Sequence, residues 1–183
     1  FWDYARQRRR EADETLVVQL VNKVDGHPLA LELLGASFAE QLDIGLPDFI
    51  RGLDAELGRA ESLYKRDRQA TLGGSFDYSF QFLSPEAKAL FPKLGMFGAP
   101  FLAEQAMAIF EQAGAAKTLN ELQRKSLIRG VEVGEDLLAY YLHPTARWYV
   151  GQKADPEELA REHGPGFAAT YAELARAAYA SLG

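Results

Sequence analysis

The sequence predicts a mainly α protein: a small helical domain, then helices followed by a two-stranded β-hairpin, and finally a helical extension. Two observations predict this class. Apolar residues recur with a period of about 3.6 through most of the first sixty residues, as in amphipathic helices. Between Val131 and Leu142 the period changes to 2, which indicates strands. A content of 48% hydrophobic and 25% charged residues is ordinary for a globular protein.

Composition also excludes several classes of function. The chain of 183 residues has no cysteine, which excludes disulfides and thiolate zinc sites. His27, His143 and His163 are too far apart in sequence to form a local metal motif. No apolar run approaches the roughly 20 residues of a membrane span, and no signal peptide is visible, so we expect a cytoplasmic protein without membrane partners. A net charge of −6 makes non-specific attraction to nucleic acid unfavourable.

The chain begins at Phe1 rather than at methionine, and we interpret it as a piece of a larger protein. Residues 1–15 are predicted to be a linker or the end of an upstream domain. They contain a basic run that could contact phosphate, although a solvated helix start or linker also explains it: Arg6, Arg8, Arg9 and Arg10.

Three helices are predicted next, as a small helical domain over residues 16–68. The second, from Pro28 to Gln41, is apolar on nearly every face except at Glu32, and we therefore expect it to be buried. We interpret Gly58 to Gln69, which is charged and weakly patterned, as a partly ordered connection. The expected core positions are Leu16, Val17, Leu20, Val21 and Val24, then Pro28, Leu31, Leu34 and Phe38, then Phe49, Ile50, Leu53 and Leu57.

A second domain is predicted over residues 69–152. Ser84-Pro85-Glu86 has the hydroxyl cap, first-turn proline and acid that begin a helix. Two further helices, from Ala103 to Gln112 and from Ala116 to Lys125, precede the hairpin, whose turn is Gly134-Glu135-Asp136. Helices followed by such a hairpin form a winged helix. The core face of the first helix is predicted to be Ala87, Leu90, Phe91, Leu94 and Phe97.

The last segment, residues 153–183, is predicted to begin a helical repeat region. Asp155-Pro156-Glu157-Glu158 is a good helix opening, and Gly164-Pro165-Gly166 is expected to interrupt the helix. After this interruption an apolar stripe continues at helical spacing: Phe167, Tyr171, Leu174 and Ala178.

The turn at Gly26-His27-Pro28 is the first candidate site. Gly26 is suited to close one helix in the left-handed conformation, and Pro28 is suited to the first turn of the next. The backbone at such a junction can approach a ligand closely, although a plain corner between two helices has the same pattern.

His143 is the second candidate. Pro144 places it at a helix cap, where an imidazole can donate to a phosphate oxygen or merely cap its own helix.

Several motifs resemble the STAND signal-transducing NTPases, the NB-ARC type and their bacterial relatives. Gly26-His27-Pro28-Leu29-Ala30-Leu31 resembles their "GLPLAL" signature. The family's "TL…SYDLL.P.E..LF..L..F" is matched by Thr71-Leu72, Phe76-Asp77-Tyr78-Ser79, Leu83-Ser84-Pro85-Glu86, Leu90-Phe91, Leu94 and Phe97. Its "L..L..KSL" is matched by Leu119, Leu122 and Lys125-Ser126-Leu127, and its histidine motif by Tyr141-Leu142-His143. The resemblance extends from about Leu16 to about Val150.

The resemblance implies an ATP/ADP site shared with an upstream nucleotide-binding domain. Its residues here would be Gly26, His27, Pro28 and Leu29, with Pro28 against the adenine, and His143 at the phosphates. The family's Met-His-Asp reads Leu142-His143-Pro144 here, so the acidic partner is missing. The chain also has no Gly-x-x-x-x-Gly-Lys-[Ser/Thr] loop and no acidic Walker-B strand. We therefore expect neither enzymatic activity nor a bound cofactor for this chain alone.

Three classes of function remain open. The first is the regulatory half of a nucleotide-dependent signalling switch, whose partners would be the upstream domain, downstream tetratricopeptide-like repeats and an oligomer formed on activation. The second is a winged-helix nucleic-acid binder with Lys117, Arg124 and Lys125 on phosphates, which the acidic hairpin residues Glu132, Glu135 and Asp136 disfavour. The third is a helical protein-interaction scaffold.

Overall fold

In the computed structural model of this chain, the described residues are 1, 3, 13–63, 67–112, 114–134 and 137–180, with the backbone alone at 67 and 68. The basic run Arg6–Arg10 and the turn residues Glu135 and Asp136 lie outside them. The described residues are mainly helical with a small antiparallel sheet, which confirms the predicted fold class. Backbone contacts divide the chain into a first unit, Phe1–Leu83 with Arg124–Ser126, and a second unit, Ser84–Gln123 with Leu127–Gly183.

Where the structure describes it, the first unit contains the helices α1 (Glu14–Lys23), α2 (Pro28–Glu40), α3 (Leu46–Leu63) and α4 (Asp67–Gln81). Asp13 caps α1, because its carboxylate accepts the backbone N–H of Thr15 at 2.8 Å. Aromatic rings lie at the centre of the core. The ring of Phe49 packs edge-on against those of Phe38 and Tyr78, with centroid distances of 5.2 Å to Phe38 and 4.9 Å to Tyr78. The buried core is formed by Val17, Leu20, Val24, Ala30, Leu34, Phe38, Leu46, Phe49, Ile50, Leu53 and Tyr78.

The prediction that α2 is buried is confirmed for most of its length, since every residue from Leu33 to Ala39 is buried. The start of the helix differs. Pro28 is exposed and Leu31 is half-buried, so the expectation that Pro28 lies in the core is wrong. Pro28 occupies the first helical position, beside the exposed turn residues Asp25 and Gly26, and its ring is therefore left at the surface.

The segment interpreted as a partly ordered connection is largely helical. Helix α3 continues through Gly58 to Leu63, and α4 begins at Asp67. The two helices approach closely where they carry small residues: a Cβ added at Gly74 would lie 2.9 Å from Leu57 Cδ2 and 3.2 Å from Ala60 Cβ. Because the two helices contact each other through small residues, large apolar side chains do not recur there at a helical period. This explains why the segment from Gly58 to Gln69 is only weakly patterned. Because α4 packs on α2 and α3, the first unit extends to Leu83, beyond the predicted boundary between residues 68 and 69.

The second unit begins with α5 (Pro85–Lys93), the 3-10 turn Leu94–Met96, β1 (Phe101–Leu102) and α6 (Ala103–Phe110). It continues with α7 (Ala115–Arg124), β2 (Arg129–Gly134), β3 (Leu137–Tyr141), α8 (Pro144–Val150) and α9 (Pro156–Ala180). Strand β3 pairs antiparallel with both β1 and β2. A helix, a short strand, two further helices and a two-stranded hairpin, in this order, form a winged helix.

The predicted start and face of α5 are confirmed. The hydroxyl of Ser84 accepts the N–H of Ala87 at 3.2 Å, and Pro85 is the first helical residue. The backbone N–H and the hydroxyl of Ser84 donate to the carboxylate of Glu121 at 2.8 and 2.7 Å, which attaches the cap to α7. All five predicted core residues are buried: Ala87, Leu90, Phe91, Leu94 and Phe97.

The hairpin forms as predicted, but the alternation of apolar and polar residues along its strands corresponds only partly to alternating buried and exposed side chains. Val131 and Val133 of β2 are 40% and 52% exposed, whereas Ala139 and Tyr140 of β3 are buried. The central strand therefore supplies the inward side chains, and β2 lies at the sheet edge. Strand β1 was not predicted because two residues are too few to show a period.

Helix α9 is continuous from Pro156 to Ala180, so the predicted interruption at Gly164-Pro165-Gly166 is wrong. Gly166 permits close packing instead: an added Cβ would lie 3.3 Å from the carbonyl oxygen of Ile109 in α6. Phe167 packs on Phe97 at 5.7 Å, while residues 171–180 are all exposed. No helix in the described ranges combines the length and the apolar character needed to cross a membrane.

Candidate functional site

The turn between α1 and α2 is a Schellman motif. The backbone N–H of Gly26 donates to the carbonyl of Val21 at 2.9 Å, and that of Asp25 to the carbonyl of Asn22 at 3.2 Å. Both Asp25 (φ 49°) and Gly26 (φ 63°) are left-handed. The left-handed conformation expected of Gly26 is therefore confirmed. The residue directly after the helix cap is Asp25, a residue type that tolerates this conformation better than most.

Helix α2 begins directly after this turn, with His27 as its cap. The carbonyl of His27 accepts the N–H of Leu31 at 3.0 Å, but its side chain makes no capping hydrogen bond. The N–H groups of Leu29 and Ala30 have no partner within the helix, as in any first helical turn. Exposed Pro28 lies between the cap and these N–H groups, so an apolar ring and a helix N-terminus occupy the same corner.

A cavity of about 290 Å³ opens at this corner, and Thr71 of α4 completes its wall. It is lined by Val24, Asp25, Gly26, His27, Pro28 and Thr71. Ligand pockets typically measure about 300–1,000 Å³, so this cavity accommodates a group of the size of a nucleobase but not a whole nucleotide. His27 Nδ1 is buried and has no hydrogen-bond partner in the described part of the chain. The predicted residues Gly26, His27 and Pro28 thus line one cavity, and Leu29 follows them as a half-buried residue.

A second cavity of about 390 Å³ shares Asp25 and Thr71 with the first. Its wall contains Lys23 and Glu61 as well. Lys23 already forms an ion pair with Asp54, with Nζ and Oδ1 2.6 Å apart. The surroundings of the two cavities are therefore rich in carboxylates, and the ammonium group of Lys23 is already paired with one of them. These surroundings are unfavourable for phosphate groups.

His143 lies in the second unit and is the cap of α8, as predicted. Its exposed ring accepts the N–H of Thr145 at Nδ1, at 3.2 Å. A neutral imidazole that accepts at Nδ1 carries its hydrogen on Nε2. The capping bond thus orients the ring and leaves Nε2–H as a donor toward a ligand.

An ion-pair cluster at the other end of α2 was not predicted. Both carboxylate oxygens of Glu40 are used: Oε1 accepts from Arg124 Nε at 3.0 Å, and Oε2 pairs with Lys125 Nζ at 2.8 Å. The Lys125 side chain is only 3% exposed. Burial raises the pKa of Glu40, but the hydrogen bonds and charges of Lys125 and Arg124 outweigh it and leave the pKa below its ordinary value. By their contacts Arg124–Ser126 belong to the first unit, together with Glu40.

No protein-family model matches this chain, and neither does any protein in a comparison with curated sequences. Within the described ranges, no group of three or more acidic, histidine or cysteine side chains could hold a metal ion. Function is therefore inferred from the residues themselves.

Proposed function

We propose that this chain is the regulatory half of an ATP/ADP-dependent signalling switch, which closes over a nucleotide bound by an ATPase domain elsewhere in the same protein. The observation that carries this proposal is the exposed Pro28 in the wall of a base-sized cavity. The motif Gly26-His27-Pro28-Leu29, which resembles the nucleotide-contacting signature of the STAND NTPases, forms that wall and the start of α2.

The residues at the corner fit the base half of a nucleotide. The pyrrolidine ring of Pro28 is apolar, and its φ is fixed by the ring, so it offers a preorganised surface to the face of an adenine. The left-handed backbone at Asp25 and Gly26 brings the chain from α1 into His27 and Pro28, and Gly26 lines the cavity without a side chain. ADP or ATP would be the ligand that shifts the switch between its two states, and this chain would make the contacts that detect the ligand.

His143 would sense the phosphates from the second unit. Its Nε2–H can donate to a phosphate oxygen while Nδ1 keeps the cap of α8. A hydrogen bond to a charged group contributes roughly 1.5–3 kcal/mol, which corresponds to about a ten- to hundredfold change in a closed-to-open population. A ligand shifts a conformational equilibrium only through contacts that differ between its states. His143 would provide such a contact if opening moved it from the nucleotide.

Catalysis and phosphate cradling are assigned to the upstream domain rather than to this chain. The sequence has no phosphate-binding loop, and Lys23 beside the cavity is already paired with Asp54. Downstream helical repeats and an oligomer formed on activation remain proposed partners. The exposed end of α9, residues 171–180, is compatible with such contacts.

The winged-helix topology supports the alternative of a nucleic-acid binder. However, two of the three cations expected on phosphates, Arg124 and Lys125, are paired with Glu40, and Lys125 is buried. Lys117 is exposed, but so is the acidic Glu132 of β2. A titration of the chain with duplex DNA at increasing salt should therefore show no salt-dependent binding. Affinity that falls steeply with salt would support this alternative instead.

The test of the proposed switch uses the protein that carries this chain beside its ATPase domain, and it compares two substitutions at His143. His143→Ala removes both the ring donor and the helix cap, whereas His143→Ser removes the ring but keeps a side chain that caps well. If His143 binds phosphate, both variants should lose bound ADP about ten- to a hundredfold faster and raise basal activity. If only His143→Ala has an effect, His143 is a cap and the phosphate contact is wrong.

A further inference from the structure

A surface cleft of about 380 Å³ lies in the second unit, and none of its wall residues belongs to the proposed nucleotide site. It is bounded by the end of α5 with its 3-10 turn, by the end of α8 and by the start of α9. Apolar side chains form most of its wall, among them Pro92, Met96, Val150 and Leu159. Small residues such as Ala154 leave the space open. The volume falls within the range of small-molecule pockets.

Arg147 is the ionisable residue in this wall. It is half-buried, and one N–H of its guanidinium donates to the carbonyl of Gly95 at 3.1 Å, which fixes the side chain at the edge of the cleft. A guanidinium has five N–H donors and stays charged, so this bond leaves others for a ligand. The nearest acids along the chain, Asp155 and Glu157, are exposed and lie outside the wall. A cation beside an apolar surface favours an anionic group that can pair with it.

We infer that this cleft binds a small amphipathic carboxylate, an aliphatic chain of about six to ten carbons with its carboxylate on Arg147. The aliphatic chain would cover the apolar side chains of Met96, Val150 and Leu159, and the guanidinium would donate two parallel N–H bonds to the carboxylate. The inference does not depend on the proposed nucleotide switch, since that site uses Pro28 in the first unit and the His143 side chain, neither of which lines the cleft.

The chain contains two methionines, and they make a direct assay possible. Met96 lies in the wall of the cleft, whereas Met107 lies on α6, is 46% exposed and is not part of the wall. With ¹³C-labelled methionine methyl groups, titration with octanoate should shift the Met96 resonance saturably, with a dissociation constant on the order of a millimolar. Met107 should not shift. Equal shifts of both methyl groups, or none at Met96, would overturn the inference.

Three variants test the chemistry. Arg147→Gln should weaken octanoate binding about tenfold but leave binding of octanol unchanged, because only the charged contact is lost. Arg176→Gln, which removes an exposed positive charge farther along α9, should change neither. Ala154→Leu should fill the cleft and weaken both ligands. Unchanged octanoate affinity in Arg147→Gln, with the variant shown to be folded by its spectrum, would refute the carboxylate contact.

Discussion

At the turn before α2, two consecutive residues hold the left-handed backbone conformation, and they shape the corner where the proposed base contact lies. Asp25 and Gly26 close α1 with two capping hydrogen bonds and direct the chain into His27 and Pro28. An added Cβ at Gly26 would meet nothing within 4 Å. Glycine is therefore favoured there by backbone conformation and not by lack of space.

Two glycine-to-alanine substitutions separate these causes. Gly58 in α3 also has nothing within 4 Å of an added Cβ, but it lies inside a helix. Gly26→Ala should lower the free energy of unfolding by about 1–2 kcal/mol, because alanine resists the left-handed region. Gly58→Ala should raise it by about 0.5–1 kcal/mol through helix propensity. Chemical denaturation measures both, and equal effects of the same sign would contradict the left-handed turn.

Among the elements, α2 is the one that links the candidate site to the ion-pair cluster. It begins at the Pro28 cavity and ends at Glu40, whose carboxylate holds Arg124 and buried Lys125. A buried ammonium needs its partner, since an uncompensated charge in the interior is costly. The cluster therefore fixes the end of α2 to Arg124–Ser126 within the first unit.

Removing the charge of Glu40 should destabilise the folded chain. Glu40→Gln should lower the free energy of unfolding at neutral pH by about 3 kcal/mol, because Lys125 stays buried without an opposite charge. Asp48→Asn is the control: its pair with Arg51 is exposed on both sides and should contribute less than about 1 kcal/mol. Similar effects of the two substitutions in denaturation experiments would mean that Lys125 is not buried.

The same cluster should respond to acid. The pKa of Glu40 is lower in the folded chain than its ordinary value of 4.5, so the folded state favours the charged carboxylate. The resulting stability is fully present above pH 4.5 and is lost as the pH falls through the folded pKa. The difference in unfolding free energy between wild type and Glu40→Gln should therefore be constant near neutral pH and shrink below 4.5. A difference that grows on acidification would reverse the assigned sign.

Elements with local signals were predicted well from the sequence. The cap Ser84, the first-turn Pro85 and five apolar residues at helical spacing lie within fourteen positions, and α5 forms as expected. The hairpin was visible because strands alternate with a period of 2. The candidate corner was found in the same way, because Gly26 and Pro28 have conformational preferences that apply within one turn.

Features that depend on distant contacts could not be predicted. Glu40 and Arg124 are 84 residues apart, and nothing local marks either as a partner of the other. The packing of α3 on α4 uses Gly74 and Ala60, which carry no apolar period. Helix α9 continues through Pro165 because Gly166 and Phe167 pack on the winged helix, and tertiary contacts of this kind override the local preference of a proline to end a helix.

At the scale of the whole molecule, the proposed nucleotide contacts are divided between two compact units. Pro28 and its cavity belong to the first, and His143 with its capped helix belongs to the second. The sequence has no Gly-x-x-x-x-Gly-Lys-[Ser/Thr] loop to cradle phosphates, and the carboxylates near the first cavity disfavour them. Under the proposed function, nucleotide affinity must therefore come mainly from the upstream ATPase domain.

This division predicts the behaviour of the chain on its own. A cavity of about 290 Å³ can bury one base, and a group of about ten heavy atoms at about 0.3 kcal/mol each gives a dissociation constant in the millimolar range or weaker. Calorimetry of this chain with ATP or ADP should show no micromolar binding, and a phosphate-release assay should show no hydrolysis. Adenosine should bind about as weakly as ADP, because no phosphate contact adds to the base. A micromolar affinity for ADP that adenosine lacks would mean that this chain binds the phosphates itself. The interpretation of the chain as half of a nucleotide site would then be wrong.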